Sequence, residues 1–139
     1  MRRRVIAYIT RERDGRSELL VFHDPLHPHL GDQVPAGRLE ADETLEAGLL
    51  RELEEEAGLT TATVVRELAL PPRVAASIHY EHHAFEVHLS APDPDTWSHV
   101  VTGDGDDAGL VFHYRWEPLA ETLLLFGTDG HVPSELVRA

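Results

Sequence analysis

The chain has no cysteine and no lysine. Without cysteine there are no disulfides, no thiolate metal sites and no cysteine nucleophile. Without lysine there is no Schiff-base chemistry and no lysine general base. All cationic side chains other than histidine are arginine, 12 against 25 acidic residues, for a net charge of −13. That balance argues against nucleic acid held through a broad electrostatic footprint. No apolar run approaches the roughly 18 residues of a membrane span. The start, MRRRVIAYIT, is basic and then alternating, with no apolar core of a signal peptide. The expectation is a cytoplasmic protein that does not engage membranes. A length of 139 residues with 42% hydrophobic content suggests one domain over 1–139, monomeric or homodimeric, with a core of its own.

Two alternating runs, 3–10 and 17–23, read as strands flanking the polar stretch RERDGRS. That turn reads as longer than the tightest hairpin type. A Pro-, Gly- and His-rich loop follows, HDPLHPHLGDQVPAG. Beyond a helix at about 44–57, strands are expected at 61–70, 76–90 and 110–116, with Pro71-Pro72 as a break. Residues 91–109 read as a long polar loop, and a helix is expected near 118–126, opened by Pro118. This order is α/β or α+β, with a mixed sheet between helices.

Residues 37–59, GRLEADETLEAGLLRELEEEAGL, carry the chemistry. Thr44 is a good N-cap, and Leu45, Leu49, Leu53 and Ala57 form an apolar stripe that Leu50 widens. Gly58 stands where a left-handed residue commonly ends a helix, and Leu59 can fold back onto the last turn. At about 100° per residue, Glu52, Glu55 and Glu56 share one sector, with Gly48 one turn earlier leaving room near the backbone. The carboxylates are badly placed for stability. Glu52 and Glu56 repel at i, i+4, and all lie at the end where the helix dipole disfavours anions. One arginine, Arg51, cannot neutralise Glu52, Glu54, Glu55 and Glu56, whereas a hard divalent cation can.

The same stretch resembles the Nudix box, G-x5-E-x7-R-E-U-x-E-E-x-G-U, where U is a bulky aliphatic. Gly37, Glu43, Arg51, Glu52, Leu53, Glu55, Glu56, Gly58 and Leu59 fill all nine defined positions. Trp116-Glu117-Pro118-Leu119 resembles a W-x-P-L segment that often precedes the family's last helix. One departure is Ala36, where many members carry a second glycine beside the box.

The resemblance implies an α/β/α sandwich with a mixed sheet. It also implies Mg²⁺- or Mn²⁺-dependent hydrolysis of a pyrophosphate bond in a nucleoside diphosphate derivative, a small nucleotide-type substrate. Glu55 and Glu56 would be the principal metal ligands, with Glu52 binding metal or activating water. The backbone carbonyl near Gly37 would complete the site. Arg51 and Glu43 would pair across the loop–helix junction. If Glu52 is not the base, Asp104, Asp106, Asp107 and then Glu81 are the next candidates.

Arg38, His29 (alongside His23 and His27), Glu81 and Asp107 are candidate substrate contacts. Arg2–Arg4 read as flanking the first strand. Tyr80, Phe85 and Trp97 can stack on a base but more often serve packing. The alternative within the same fold is a nucleotide-sensing module without catalysis. Family markers for ADP-ribose and dinucleoside polyphosphate substrates, a proline and a tyrosine some 15 to 18 residues past the box, have no counterpart here. The region from Val74 to Ser77 holds neither.

Overall fold

A computed structural model describes residues 2–90, 94–120, 123, 125 and 132–137. Strands β1 (Arg2–Arg13) and β2 (Arg16–His23) form the opening hairpin. Its turn is only Asp14-Gly15, both at positive φ, with Arg13 facing Arg16. The turn is thus the two-residue type favoured by Asp-Gly, shorter than the sequence suggested, because both strands pair to their last residue.

A short strand β3 (Ala36–Arg38) precedes helix α1 (Leu45–Ala57). Then follow β4 (Ala62–Leu68), a one-turn helix α2 (Pro72–Ala75) and β5 (Tyr80–Leu89). Strands β6 (Thr96–Val100) and β7 (Val111–Pro118) and the short helix α3 (Ser134–Val137) complete the elements.

The strands form one mixed sheet in the order β4-β5-β1-β2-β7-β6, with β3 also on β1. Residues Arg2 to Ile9 of β1 run parallel to β5 and Arg4 to Ile6 antiparallel to β3, while Thr10 to Arg13 pair with β2. One strand therefore carries the sheet centre and delivers the Gly37 segment beside α1.

Alternation along β1 sorts the core into two layers. Val5, Ala7 and Ile9 meet Leu49, Leu53 and Ala57 of α1, together with Phe22, Phe112 and Tyr114. Ile6 and Tyr8 face the opposite side, under Leu125 and Val132 of the C-terminal segment. A sheet buried on both faces fits the α/β/α expectation, with few helices beyond α1. Among the described residues no helix is long and apolar enough to cross a membrane.

Three expectations change. The stretch 91–109 is not one loop, because Thr96–Val100 pairs with Val111–Arg115 as the edge strand β6. Its Pro-, Gly- and Asp-rich flanks hide a five-residue alternation in which Trp97 and His99 are partly buried and Thr96, Ser98 and Val100 are exposed. Pro118 ends β7 rather than opening a helix, and Leu119 and Ala120 are not helical. Residues 121, 122, 124 and 126 of that expected helix lie outside the described residues. Leu50 does not widen the apolar stripe of α1; it is exposed on the solvent side.

Candidate active site

Local sequence builds α1 as expected. The Thr44 hydroxyl accepts from the Ala47 amide at 3.2 Å. Gly58 adopts the left-handed conformation at φ 72°, and the Leu59 amide reaches the Leu53 carbonyl at 3.2 Å. The Gly58 amide donates to the Glu54 carbonyl at 3.0 Å, the single-bond left-handed cap.

The last carbonyls of α1 also find donors far along the chain. The Thr102 amide donates to the Glu55 carbonyl at 2.9 Å, and His99 Nε2 reaches the same oxygen at 3.0 Å. The Tyr114 hydroxyl donates to the Glu56 carbonyl at 2.9 Å, and Trp97 Nε1 to the Ala57 carbonyl at 3.1 Å. A helix leaves its last carbonyls without intrahelical partners. Here β6, β7 and the turn between them satisfy those of Glu55, Glu56 and Ala57. These donors also offset the negative end of the helix dipole where the carboxylates gather. No local signal in the sequence points to them.

Arg51 braces the site. Its guanidinium binds Glu43 through two nitrogens, at 2.6 and 2.8 Å, and donates to the Arg38 carbonyl at 3.0 Å. Its remaining terminal nitrogen reaches Glu52 at 3.0 Å and Glu55 at 2.8 Å. The Glu40 amide also donates to Glu43, at 2.8 Å. Bonding to Arg51 holds the Glu43 carboxyl at about 2, and the same partnership raises Arg51 above its ordinary value. Gly48 does not open onto the carboxylates as its sector suggested; a side chain there would meet Leu39 at 2.8 Å and Glu43 at 3.2 Å.

The sign of this linkage follows from the folded value lying below the unfolded one. The Glu43 contribution to stability is complete above about pH 4.5 and lost as pH falls towards 2. We expect the melting temperatures of wild type and Glu43→Gln to differ most above pH 5 and to converge near pH 2. Thermal melts across that range test this; a constant gap would refute it.

The acids at the helix end behave differently. Glu56 is 6% exposed, and among the described residues its carboxylate has one hydrogen bond, a long 3.4 Å contact from the Ala36 amide. Burial, with the charge of Glu52 added, raises its carboxyl well above the usual range. Burial likewise raises Glu52, against the pull of Arg51. The Glu52 carboxylate lies so close to Gly37 that any β-carbon there would overlap it. Any side chain at position 37 would therefore displace the Glu52 carboxylate.

Among the described residues no three acidic or histidine side chains already converge as a metal cage. The donor set nevertheless fits a hard divalent cation. It supplies carboxylate oxygens only, one of them buried and scarcely hydrogen-bonded, beside two others now held by a single arginine nitrogen.

These groups line a cleft of about 760 Å³. Glu52, Glu55 and Glu56 lie on one wall, and Arg38, Asp104, Asp106 and Asp107 also line it. Arg38 pairs with Asp106 at 3.0 Å. Two candidate residues are not among those that line this cleft. His29 lies in a 3-10 turn outside the cleft lining, beside His27, which Asp24 holds at 2.5 Å. Glu81 is also outside the lining, its carboxylate 3.2 Å from His83. Conversely, Arg2, Arg3, Arg4 and Tyr80 line the cleft rather than merely flanking strands. Parallel pairing puts Arg2 opposite Tyr80, a long-range juxtaposition that no local pattern announces.

A family model described as the NUDIX domain matches residues 1–136. No curated protein matches the chain. Among solved structures, a Caenorhabditis elegans Ap4A hydrolase binary complex is 19% identical with a TM-score of 0.56, the match covering 85% of this chain and 80% of that one. A Streptococcus suis ADP-ribose pyrophosphatase is 13% identical with a TM-score of 0.59, covering 98% of this chain and 87% of that one. The NUDIX domain of Shewanella oneidensis NrtR, complexed with ADP ribose, is 20% identical with a TM-score of 0.56, covering 91% of this chain and 80% of that one. At these identities the likeness is one of fold.

Proposed function

Because the chain belongs to the Nudix hydrolase family, we propose that it cleaves a pyrophosphate bond in a nucleoside diphosphate derivative in the cytoplasm, using Mg²⁺ or Mn²⁺. The observation that carries this reading is the acidic last turn of α1. Glu52, Glu55 and Glu56 crowd a helix end, and the one arginine among them is already tied to Glu43. Glu52, Glu55, Glu56 and the Gly37 carbonyl would hold the cation. When bound, it neutralises non-bridging phosphate oxygens and lowers the pKa of the attacking water.

The protein's own part is positioning and proton transfer. Glu52 takes a proton from water as the water oxygen bonds to one phosphorus. The bridging P–O bond breaks, and its electron pair leaves on the second phosphate. Asp104, Asp106 and Asp107 line the same cleft and are the alternatives. The Glu43–Arg51 pair acts through the others by fixing where the acids point. The likenesses to an Ap4A hydrolase and an ADP-ribose pyrophosphatase support a nucleotide substrate.

The test is a panel of nucleoside triphosphates, ADP-ribose, dinucleotides and nucleotide sugars with Mg²⁺ or Mn²⁺, with phosphate measured after a coupled phosphatase. Metal-dependent phosphate release from at least one compound is expected. Nucleotide binding by calorimetry with no turnover would instead make the chain a sensing module. Neither binding nor turnover would reject both readings.

A further inference from the structure

The protein carries 25 acidic residues, yet its N-terminal arginines are not spent on them. Arg11, Arg13, Arg38, Arg51, Arg66 and Arg115 each pair with a carboxylate. Among the described residues, Arg2 and Arg4 pair with none. Arg3 is tied to the box loop by a 2.9 Å bond to the Glu43 carbonyl. Strand alternation sends Arg2 and Arg4 to the face opposite Arg3. There the Arg4 guanidinium lies over the Tyr80 ring, 5.7 Å from its centroid.

Position matters as much as charge. Arg2, Arg4 and Tyr80 line the cleft that holds the carboxylates, and the charge of Arg4 is felt at Glu56. A second concavity, about 570 Å³, shares Arg2 and Tyr80 with the first and is bounded by Ile78 and His79. Ile78 is 88% exposed at this lip, an apolar side chain facing water beside an aromatic ring. The cleft therefore brings together carboxylates, guanidiniums without a carboxylate partner among the described residues, and an apolar and aromatic lip. Guanidinium groups without a carboxylate bind phosphate bidentately, and a tyrosine ring accepts a stacked base.

We propose that Arg2 and Arg4, with Tyr80, form a second anion subsite that takes a phosphate beyond the pyrophosphate being cleaved. The substrate class is then a nucleoside triphosphate or a longer phosphate chain, its nucleoside end at the Tyr80–Ile78 lip. This rests on the pyrophosphohydrolase reading, which places two phosphates at the α1 terminus. A substrate with only two phosphates, such as ADP-ribose, would leave both guanidiniums facing neutral sugar.

Equilibrium binding of non-hydrolysable, methylene-bridged analogues of ADP and ATP to the intact chain, with Mg²⁺, tests the subsite apart from turnover. The triphosphate analogue is expected to bind about tenfold tighter or more. Arg2→Gln and Arg4→Gln should each shrink that ratio and together bring it near one. Arg16→Gln, an exposed arginine outside the cleft, removes the same charge and should preserve it. Equal affinities in wild type overturn the proposal whatever the variants do, as does an undiminished ratio in a folded double variant. A high ratio with no hydrolysis of any compound would reject the enzymatic reading and leave the subsite standing. Normal hydrolysis with a ratio of one would do the reverse.

Discussion

Glu56→Gln is expected to lose more than about a hundredfold in metal-dependent turnover while remaining folded. Removing outer partners of a metal ligand typically costs 10- to 100-fold, so replacing a proposed ligand should cost more than about 100-fold. The fold should not suffer. In the metal-free protein the Glu56 carboxyl is raised by burial, so its ionised form is penalised in the folded state. That penalty is absent below the unfolded value of 4.5 and complete once pH exceeds the folded one. Glutamine carries no charge at any pH, so the variant should melt at the wild-type temperature or higher at pH 7. Glu55→Gln should show a comparable loss of turnover. Phosphate release assays on both purified variants, beside thermal melts, decide the matter. Folded variants with wild-type rates would remove these residues from the site.

Arg51→Ala is the second large effect, and it falls on stability. One guanidinium neutralises Glu43 and touches Glu52 and Glu55, with side-chain exposures of 17%, 17% and 26%. Removing it leaves three half-buried carboxylates facing one another. Breaking a buried pair by deleting one partner costs roughly 3–5 kcal/mol; partial exposure here lowers the expectation to about 2–4 kcal/mol. The deficit should begin to narrow below about pH 4.5, as Glu43 approaches protonation at about 2, and in saturating Mg²⁺ as the cation substitutes for the arginine. Denaturant titrations at pH 7 and pH 4, with and without Mg²⁺, provide the check. A variant as stable as wild type at pH 7 would show that the brace carries no weight.

What the sequence conveys about this molecule follows the range of each interaction. Helix α1 is legible from Thr44 to Leu59 because its caps and apolar stripe are local, and the box offsets name its acids. The pairing of Arg51 with Glu43, eight residues apart, is legible for the same reason. The capping of Glu55, Glu56 and Ala57 is not, since the donors lie 40 to 58 residues away. Strand β6 escapes notice because five residues with one exposed face resemble a loop when flanked by Pro, Gly and Asp. Arg2 and Arg4 look like the ragged start of a strand until β5 aligns beside them. His29 looked eligible because its loop precedes the box, and Glu81 because it is a carboxylate outside the helix. The folding of their own segments ties His27 to Asp24 and Glu81 to His83 instead.

The donors from β6 and β7 have a consequence for how the protein fails. β6 is the outermost strand on its side of the sheet, the element first to fray when the structure is stressed. Its Trp97 and His99 hold the very turn that carries the acids. Loosening that margin would release the helix end while β1, β2 and β5 remain paired. Activity would then fade before the sheet melts, and the most vulnerable part of the proposed active site would be a strand that contributes no carboxylate to it.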